Sequence, residues 1–339
     1  MKHRIASISL AVMLAISVGL IGCTAEVPEI TEYTLIISST EGGSVTAPGE
    51  GTFTYNEGEK VNLAAKPDEG YQFLSWTGDV GTIANVNTAS TTITMNDDYS
   101  ITATFAVKQY NLVIHSTEGG SVTTPGENAY TYDKGEVVNL VAVADEGYQF
   151  IDWTGDVSTI ADVNAASTTI TMNSGYSIIA NFAGAIRDWY DLDAIRNNLS
   201  GSYILMNDLD SASAGYAELA GPTANGGKGW LPIGSLVVDP VYDYDAIDVF
   251  TGSLDGQGYE IVDMSIDRHD GGLGLVGLFG VVDGQGIIED VAVVNADVTG
   301  HQYVGGLVGN NRGTVTNSYS SGSVVGDGSG CRVVERVCL

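Results

Sequence analysis

The stretch Tyr71-Gln72-Phe73-Leu74-Ser75-Trp76-Thr77-Gly78-Asp79 decides the fold of the first half of this chain. Aromatic residues interleave with polar ones at strand spacing, and a glycine closes the run. It returns as Tyr148-Gln149-Phe150-Ile151-Asp152-Trp153-Thr154-Gly155-Asp156, 77 residues on. Working outward, Tyr33 to Ala106 maps onto Tyr110 to Ala183 without a gap: Glu41/Glu118, Pro48/Pro125, Tyr55/Tyr132, Gly70/Gly147 and Asn96/Asn173 keep the same offset. The period is one small domain, duplicated in tandem, and is too long for a solenoid rung.

Each copy reads as strands between turn residues. In the first, Leu35–Ser38, Ser44–Thr46, Thr52–Tyr55, Val61–Ala65, Tyr71–Trp76, Thr91–Met95 and Ser100–Phe105 are separated by Glu41-Gly42-Gly43, Pro48-Gly49, Asn56-Glu57-Gly58 and Asp68-Glu69-Gly70. No stretch of either copy has helical periodicity. Trp76 and Trp153 carry two readings. As ligand-binding residues they stack on sugar rings beside Asp79 and Asp156. As core residues each buries about 200 Å², worth up to about 5 kcal/mol at about 25 cal/mol per Å². Their place in a strand with Tyr71 and Phe73 favours the core.

Composition narrows the function. Gly is 44 of 339 residues, about 13% against about 7% in ordinary proteins, so tight turns are frequent. Hydrophobic residues at 44% exclude a disordered chain, and charged residues at 16% argue against long solvated helices. Residues 23–330 hold 9 basic and 41 acidic side chains, a balance of −32. Such a body repels phosphate backbones, so nucleic acid is not an expected partner.

The N-terminus reads as an address. Lys2, His3 and Arg4 precede the apolar run Ile5 to Ile21, which is short for a membrane span and fits a secretory signal. The run ends Leu20-Ile21-Gly22-Cys23, which resembles the bacterial lipobox. That resemblance implies a signal peptide over 1–22, cleavage after Gly22, lipid on Cys23, an acidic tether over 23–32, and an exported chain held on the outer face of a bacterial membrane. Several acyl chains give stable retention where one is marginal. The other two cysteines, Cys331 and Cys338, lie near the C-terminus, so no disulfide framework staples the body, and zinc spacing is absent.

The series Gly-Gly-Ser-Val, Gly-Tyr-Gln-Phe, Trp-Thr-Gly-Asp and Thr-Ile-Thr-Met-Asn, closing on Ala-Thr-Phe or Ala-Asn-Phe, resembles the divergent InlB B-repeat family. The resemblance covers 33–107 and 110–184. It implies small β-rich modules strung along bacterial surface proteins, acting as spacers or interaction modules without a reaction.

The second half winds differently. Asp188 N-caps a helix expected over Ile186 to Asn198, with Trp189, Leu192, Ile195 and Leu199 on one face. Beyond it, Asp255-Gly256-Gln257-Gly258 returns as Asp283-Gly284-Gln285-Gly286, 28 residues on. Gly277-Leu278-Phe279-Gly280 returns as Gly306-Leu307-Val308-Gly309, 29 on, and Gly286 maps to Gly313, 27 on. Short strands with glycine corners at this period predict a parallel β-solenoid over 185–330, in which stacked rungs share one core. Tyr303 to Asn310 with Gly313 to Tyr319 resembles the GLUG motif, which implies a stalk or binding scaffold in bacterial surface proteins. After Gly330 the composition shifts to Cys331-Arg332-Val333-Val334-Glu335-Arg336-Val337-Cys338-Leu339, where another Gly-Gly-Leu-Val-Gly is expected. Truncation or a frameshift is one reading of 331–339. A loop closed by a Cys331–Cys338 disulfide is the other.

The expected fold is therefore all-β: two tandem small repeat domains, then a right-handed parallel β-helix-like solenoid with one short N-terminal helix. The expected function is non-enzymatic, a lipid-anchored surface protein contacting matrix, glycan or protein through its repeats. One alternative is a β-helix polysaccharide lyase or hydrolase, for which the acidic group Asp239, Asp243, Asp245 and Asp248 is densest, with Asp255, Asp263 and Asp267 nearby in sequence. Asp243, Asp245 and Asp248 also serve as candidate ligand-binding residues. Another alternative is calcium stabilisation by Asn207, Asp208 and Asp210, whose oxygens suit a hard cation but lack the EF-hand spacing. No other cofactor is implied. His-Glu-x-x-His is absent, and no nucleophile elbow or phosphate loop occurs.

Overall fold

The computed structural model describes residues 30–234, 236–237, 246–269, 274–326 and 332–334 of the 339-residue chain. The chain is all-β with repeated β domains, and it divides into two compact units between Val107 and Lys108.

The first unit holds β1 (Glu32–Ser39), β2 (Gly43–Ala47), β3 (Gly51–Asn56), β4 (Lys60–Pro67), β5 (Tyr71–Gly78), β6 (Ser90–Thr94) and β7 (Tyr99–Val107). They form one sheet in the order β3-β1-β7-β5 and another in the order β2-β4-β6. Only β1 and β7 pair in parallel. Leu35 and Ile37 of the first sheet meet Leu63 and Ile93 of the second in a shared core. Strict alternation along β5 would set Trp76 and Phe73 on opposite faces. A bulge prevents this: Phe73 pairs with Phe105 but Ser75 with Thr104, and the extra residue, Leu74, is half exposed. Phe73 and Trp76 then share the core face, their ring centroids 5.8 Å apart.

The second unit opens with the same pattern in β8 (Gln109–Ser116), β9 (Gly120–Thr124), β10 (Ala129–Asp133), β11 (Val137–Ala144), β12 (Tyr148–Gly155), β13 (Ser167–Thr171) and β14 (Tyr176–Ile186), with the matching bulge between Phe150 and Asp152. It differs at its last strand. β14 runs 11 residues where β7 runs 9. Its end, from Gly184 through the added Ala185 and Ile186, pairs in parallel with Tyr203 to Leu205 of β15 (Ser202–Leu205). Between them lie α1 (Trp189–Asp193) and a tighter helical turn over Ala194–Asn197. Asp188 accepts from the backbone N–H groups of Tyr190 and Asp191 at 2.9 Å, and Trp189, Leu192 and Ile195 are fully buried. The regular helix is shorter than the sequence pattern predicts, because Ile186 belongs to the β14 extension and the last turn tightens.

The remaining strands are β16 (Leu236–Val237), β17 (Ala246–Ile247), β18 (Ser253–Asp255), β19 (Glu260–Val262), β20 (Ser265–Arg268), β21 (Leu275–Val276), β22 (Phe279–Val282), β23 (Ile287–Glu289), β24 (Ala292–Gly300), β25 (Tyr303–Gly305), β26 (Val308–Asn311), β27 (Thr314–Thr316), β28 (Tyr319–Gly326) and β29 (Arg332–Val334). β16 and β17 form a small antiparallel pair. The rest stack in parallel. β14-β15-β18-β23-β27 is one continuous ladder, with Leu254, Ile288 and Val315 in register and buried beneath one another. β24 pairs with β19, β20 and β28, while β21-β25-β29 and β22-β26 form further ladders.

One sequence expectation changes here. The Asp-Gly-Gln-Gly copies are not register partners: Asp255 pairs with Glu289, so 255–258 and 283–286 are turns at different corners. Asp and Gly suit tight turns anywhere, so like tetrapeptides arose at unlike places. Gly286/Gly313 and Phe279/Val308 do follow the stacking register. Beyond Gly330, Arg332–Val334 pairs in parallel with Tyr303–Gly305.

Candidate functional site

Trp76 and Trp153 are 2% and 1% exposed. The Trp76 indole N–H donates to the Thr88 carbonyl and that of Trp153 to the Ala165 carbonyl, each at 3.1 Å. No ring face is open to a sugar, so the ligand-binding reading of both is corrected to a core role. The rest of the motif is also structural. Gly78 has φ +94°, and a Cβ there would collide with the Ser100 carbonyl. Asp79 accepts from the Ser100 N–H and Asp156 from the Ser177 N–H, each at 2.9 Å. These bonds tie the end of β5 to β7, and of β12 to β14.

The calcium candidates are occupied by the chain itself. Asp208 accepts from the Glu260 N–H at 2.9 Å, and Asn207 donates to the carbonyls of Arg187 and Asp208. One oxygen of Asp210 accepts from the Ala212 N–H, the Ser213 N–H and the Ser213 hydroxyl. Those bonds, the Ala212 N–H foremost, hold its carboxyl below the usual carboxylate range. Among the described residues no three His, Cys, Asp or Glu side chains gather as a metal site. The Asp208 and Asp210 carboxylates and the Asn207 amide each bond to the chain itself and form no metal cluster among the described residues, which corrects the metal reading of Asn207, Asp208 and Asp210.

Of the acidic group, Asp248 is exposed, while Asp239, Asp243 and Asp245 lie outside the described residues, as do Gly22, Cys23, Cys331 and Cys338. Asp255 accepts from the Gln257 N–H, Asp263 from the Asn295 amide at 2.6 Å, and Asp267 meets His269. Asp255 thus caps its own turn, Asp263 bonds an amide on β24, and Asp267 lies within β20.

Sequence reasoning missed the concave surface where β14 meets β15. Tyr148 and Tyr203 flank two adjoining hollows of about 160 and 290 Å³. Glu118, Asn198, Ser200 and Ser202 line the smaller, and Asp191 and Asn197 the larger. The Tyr203 hydroxyl donates to the Asn198 carbonyl at 2.7 Å, and the Asn198 amide donates to Glu118 at 3.3 Å. Burial, then the nearby Tyr148 and Glu118, push the Tyr203 hydroxyl up to about 12. The signal was in the sequence: Gly184 stands where the first copy has Val107.

Comparison with known families matches residues 33–109 and 110–185 to the divergent InlB B-repeat domain and residues 300–325 to the GLUG motif. The chain carries two divergent InlB B-repeat domains and a GLUG motif. No enzyme family is among these matches. The GLUG segment shows why its residues recur. Val304 and Val308 point into the stack core, Asn317 turns the chain at φ +48°, and the buried Ser318 hydroxyl accepts from the Val291 N–H one rung below while donating to the Thr316 carbonyl. Two relatives align with the chain. Halomucin of Haloquadratum walsbyi is 34% identical over 181 residues, half of this chain and 2% of halomucin. A protein of Evansella cellulosilytica described as a Gly-rich membrane protein is 33% identical over 131 residues, 37% of this chain and 13% of that protein. The alignments thus span a small part of either relative. Among the described residues no helix is long and apolar enough to cross a membrane.

Proposed function

We propose that this chain is a non-enzymatic protein of the bacterial cell surface, anchored by lipid on Cys23 and serving in adhesion to matrix or glycan. In this reading the two InlB-type repeats are spacer and contact modules, and the parallel stack over 185–330 is a β-solenoid that presents a repetitive face. The observation that carries it is the use of the repeated residues. Trp76, Gly78 and Asp79, with their counterparts, all hold strands together, and Asp255 and Asp263 of the stack accept from a backbone N–H and an amide of the chain itself. The names of the relatives, halomucin and a Gly-rich membrane protein, agree with an exported, surface-associated chain.

The test is made in cells producing the full chain. Labelled palmitate enters the protein, Cys23→Ser abolishes the label and releases the chain to the medium, and added protease cleaves the protein on intact cells. Retention of the label in the variant, or protection from protease, overturns the reading. Release of reducing ends from a glycan panel would favour the polysaccharide-degrading alternative instead.

A further inference from the structure

The trough beside β14 and β15 is built from defined side chains, one of which, Tyr203, also packs against the stack core. Two tyrosine rings stand on its flanks, and Glu118, Asn198, Ser200 and Ser202 bring a carboxylate, an amide and two hydroxyls between them. The two hollows share Tyr148, Asn198 and Tyr203, so they form one groove with an aromatic waist. The Asn198–Glu118 bond holds the amide and carboxylate in place before any ligand arrives. Rings seated on glycines, Tyr148 against Gly119 and Tyr203 against Gly184, beside fixed hydrogen-bonding groups suit a molecule with C–H faces and a rim of hydroxyls. Glu118, in a body of net charge −32, disfavours an anionic one.

We infer that this groove is a binding site for neutral saccharides, with Tyr148 and Tyr203 as the packing surface and Asn198, Glu118, Ser200 and Ser202 as hydrogen-bonding partners. The first repeat has no such groove partner, because β7 ends at Val107 and the chain passes directly into the next repeat. The site therefore belongs to the junction and is not duplicated with the domain. This inference deepens the surface-contact reading and rests on it, but the two fail separately: anchoring is read in cells, and saccharide binding on the purified chain.

The experiment is calorimetric titration of the full chain in detergent with cellohexaose, chitohexaose and maltohexaose, and with oligogalacturonate as the acidic probe. At least one neutral oligosaccharide binds, and the acidic one binds at least tenfold more weakly. Asn198→Ala weakens binding at least tenfold. Ser202→Trp, an exposed position that fills the groove without touching the core, abolishes it while leaving the urea midpoint unchanged, so lost binding is not mistaken for lost folding. Absence of binding to all three neutral probes, equal binding of oligogalacturonate, or unchanged affinity in both variants overturns the proposal.

Discussion

Gly184 and Tyr203 are register partners across the junction of β14 and β15, and the tyrosine ring lies over the glycine so closely that a Cβ would sit 2.7 Å from it. This contact joins the second repeat to the parallel stack. The first repeat holds Val107 at the equivalent position, where no strand follows on that side. Restoring the valine, Gly184→Val, forces the ring away and costs about 1–3 kcal/mol by overpacking. Urea unfolding of the full chain shows an earlier transition for the second unit and an unchanged one for the first. Coincident curves for variant and parent refute the contact's role.

Trp76→Ala removes the largest side chain of the first core and leaves an indole-sized cavity. The expected cost is about 3–5 kcal/mol, enough to unfold most small domains. Circular dichroism and protease sensitivity follow the loss of the first unit, and Trp153→Ala does the same in the second repeat. A stable Trp76→Ala protein with native spectra contradicts burial.

Glu50 accepts from the Ser39 hydroxyl at 2.7 Å and the Val45 N–H at 3.0 Å, and these bonds, the hydroxyl first, hold its carboxyl below the usual range. A depressed folded value means the contribution is complete above the unfolded carboxyl's pKa of about 4.3 and is lost as pH falls through the folded one. The melting temperature of the parent therefore falls more steeply on acidification than that of Glu50→Gln. Parallel acid profiles exclude the link.

Tyr203 titrates in the opposite sense. Its folded value, pushed to about 12, exceeds the ordinary value of about 10, so its contribution is complete below about pH 10 and declines as the unfolded chain loses its proton above that. Tyr203→Phe loses the hydrogen bond to the Asn198 carbonyl, about 1 kcal/mol at neutral pH, and flattens the alkaline decline. Thermal melts between neutral and strongly alkaline pH decide it.

Asp208 and Asp210 already accept backbone N–H groups, so the melting temperature is the same in calcium and in EDTA. A rise with calcium restores the metal reading.

Much of this protein is local in origin and legible without coordinates. The 77-residue duplication, the strands with their Gly and Asp corners, the Asp188 cap and the core face of Trp189, Leu192 and Ile195 follow from period and turn chemistry, which act between near neighbours. Three features needed the tertiary structure. The bulge at Leu74 sets Trp76 beside Phe73, which strict alternation forbids. The stacking register separates the two Asp-Gly-Gln-Gly turns, because a turn tetrapeptide reports a corner but not which corner. The junction of Gly184 with Tyr203 fuses a repeat to the stack and opens the groove beside Asn198. In each case the deciding interaction is a pairing across space: the period marks some stacked partners, such as Phe279 with Val308, but neither a bulge nor a junction between unlike elements follows from it.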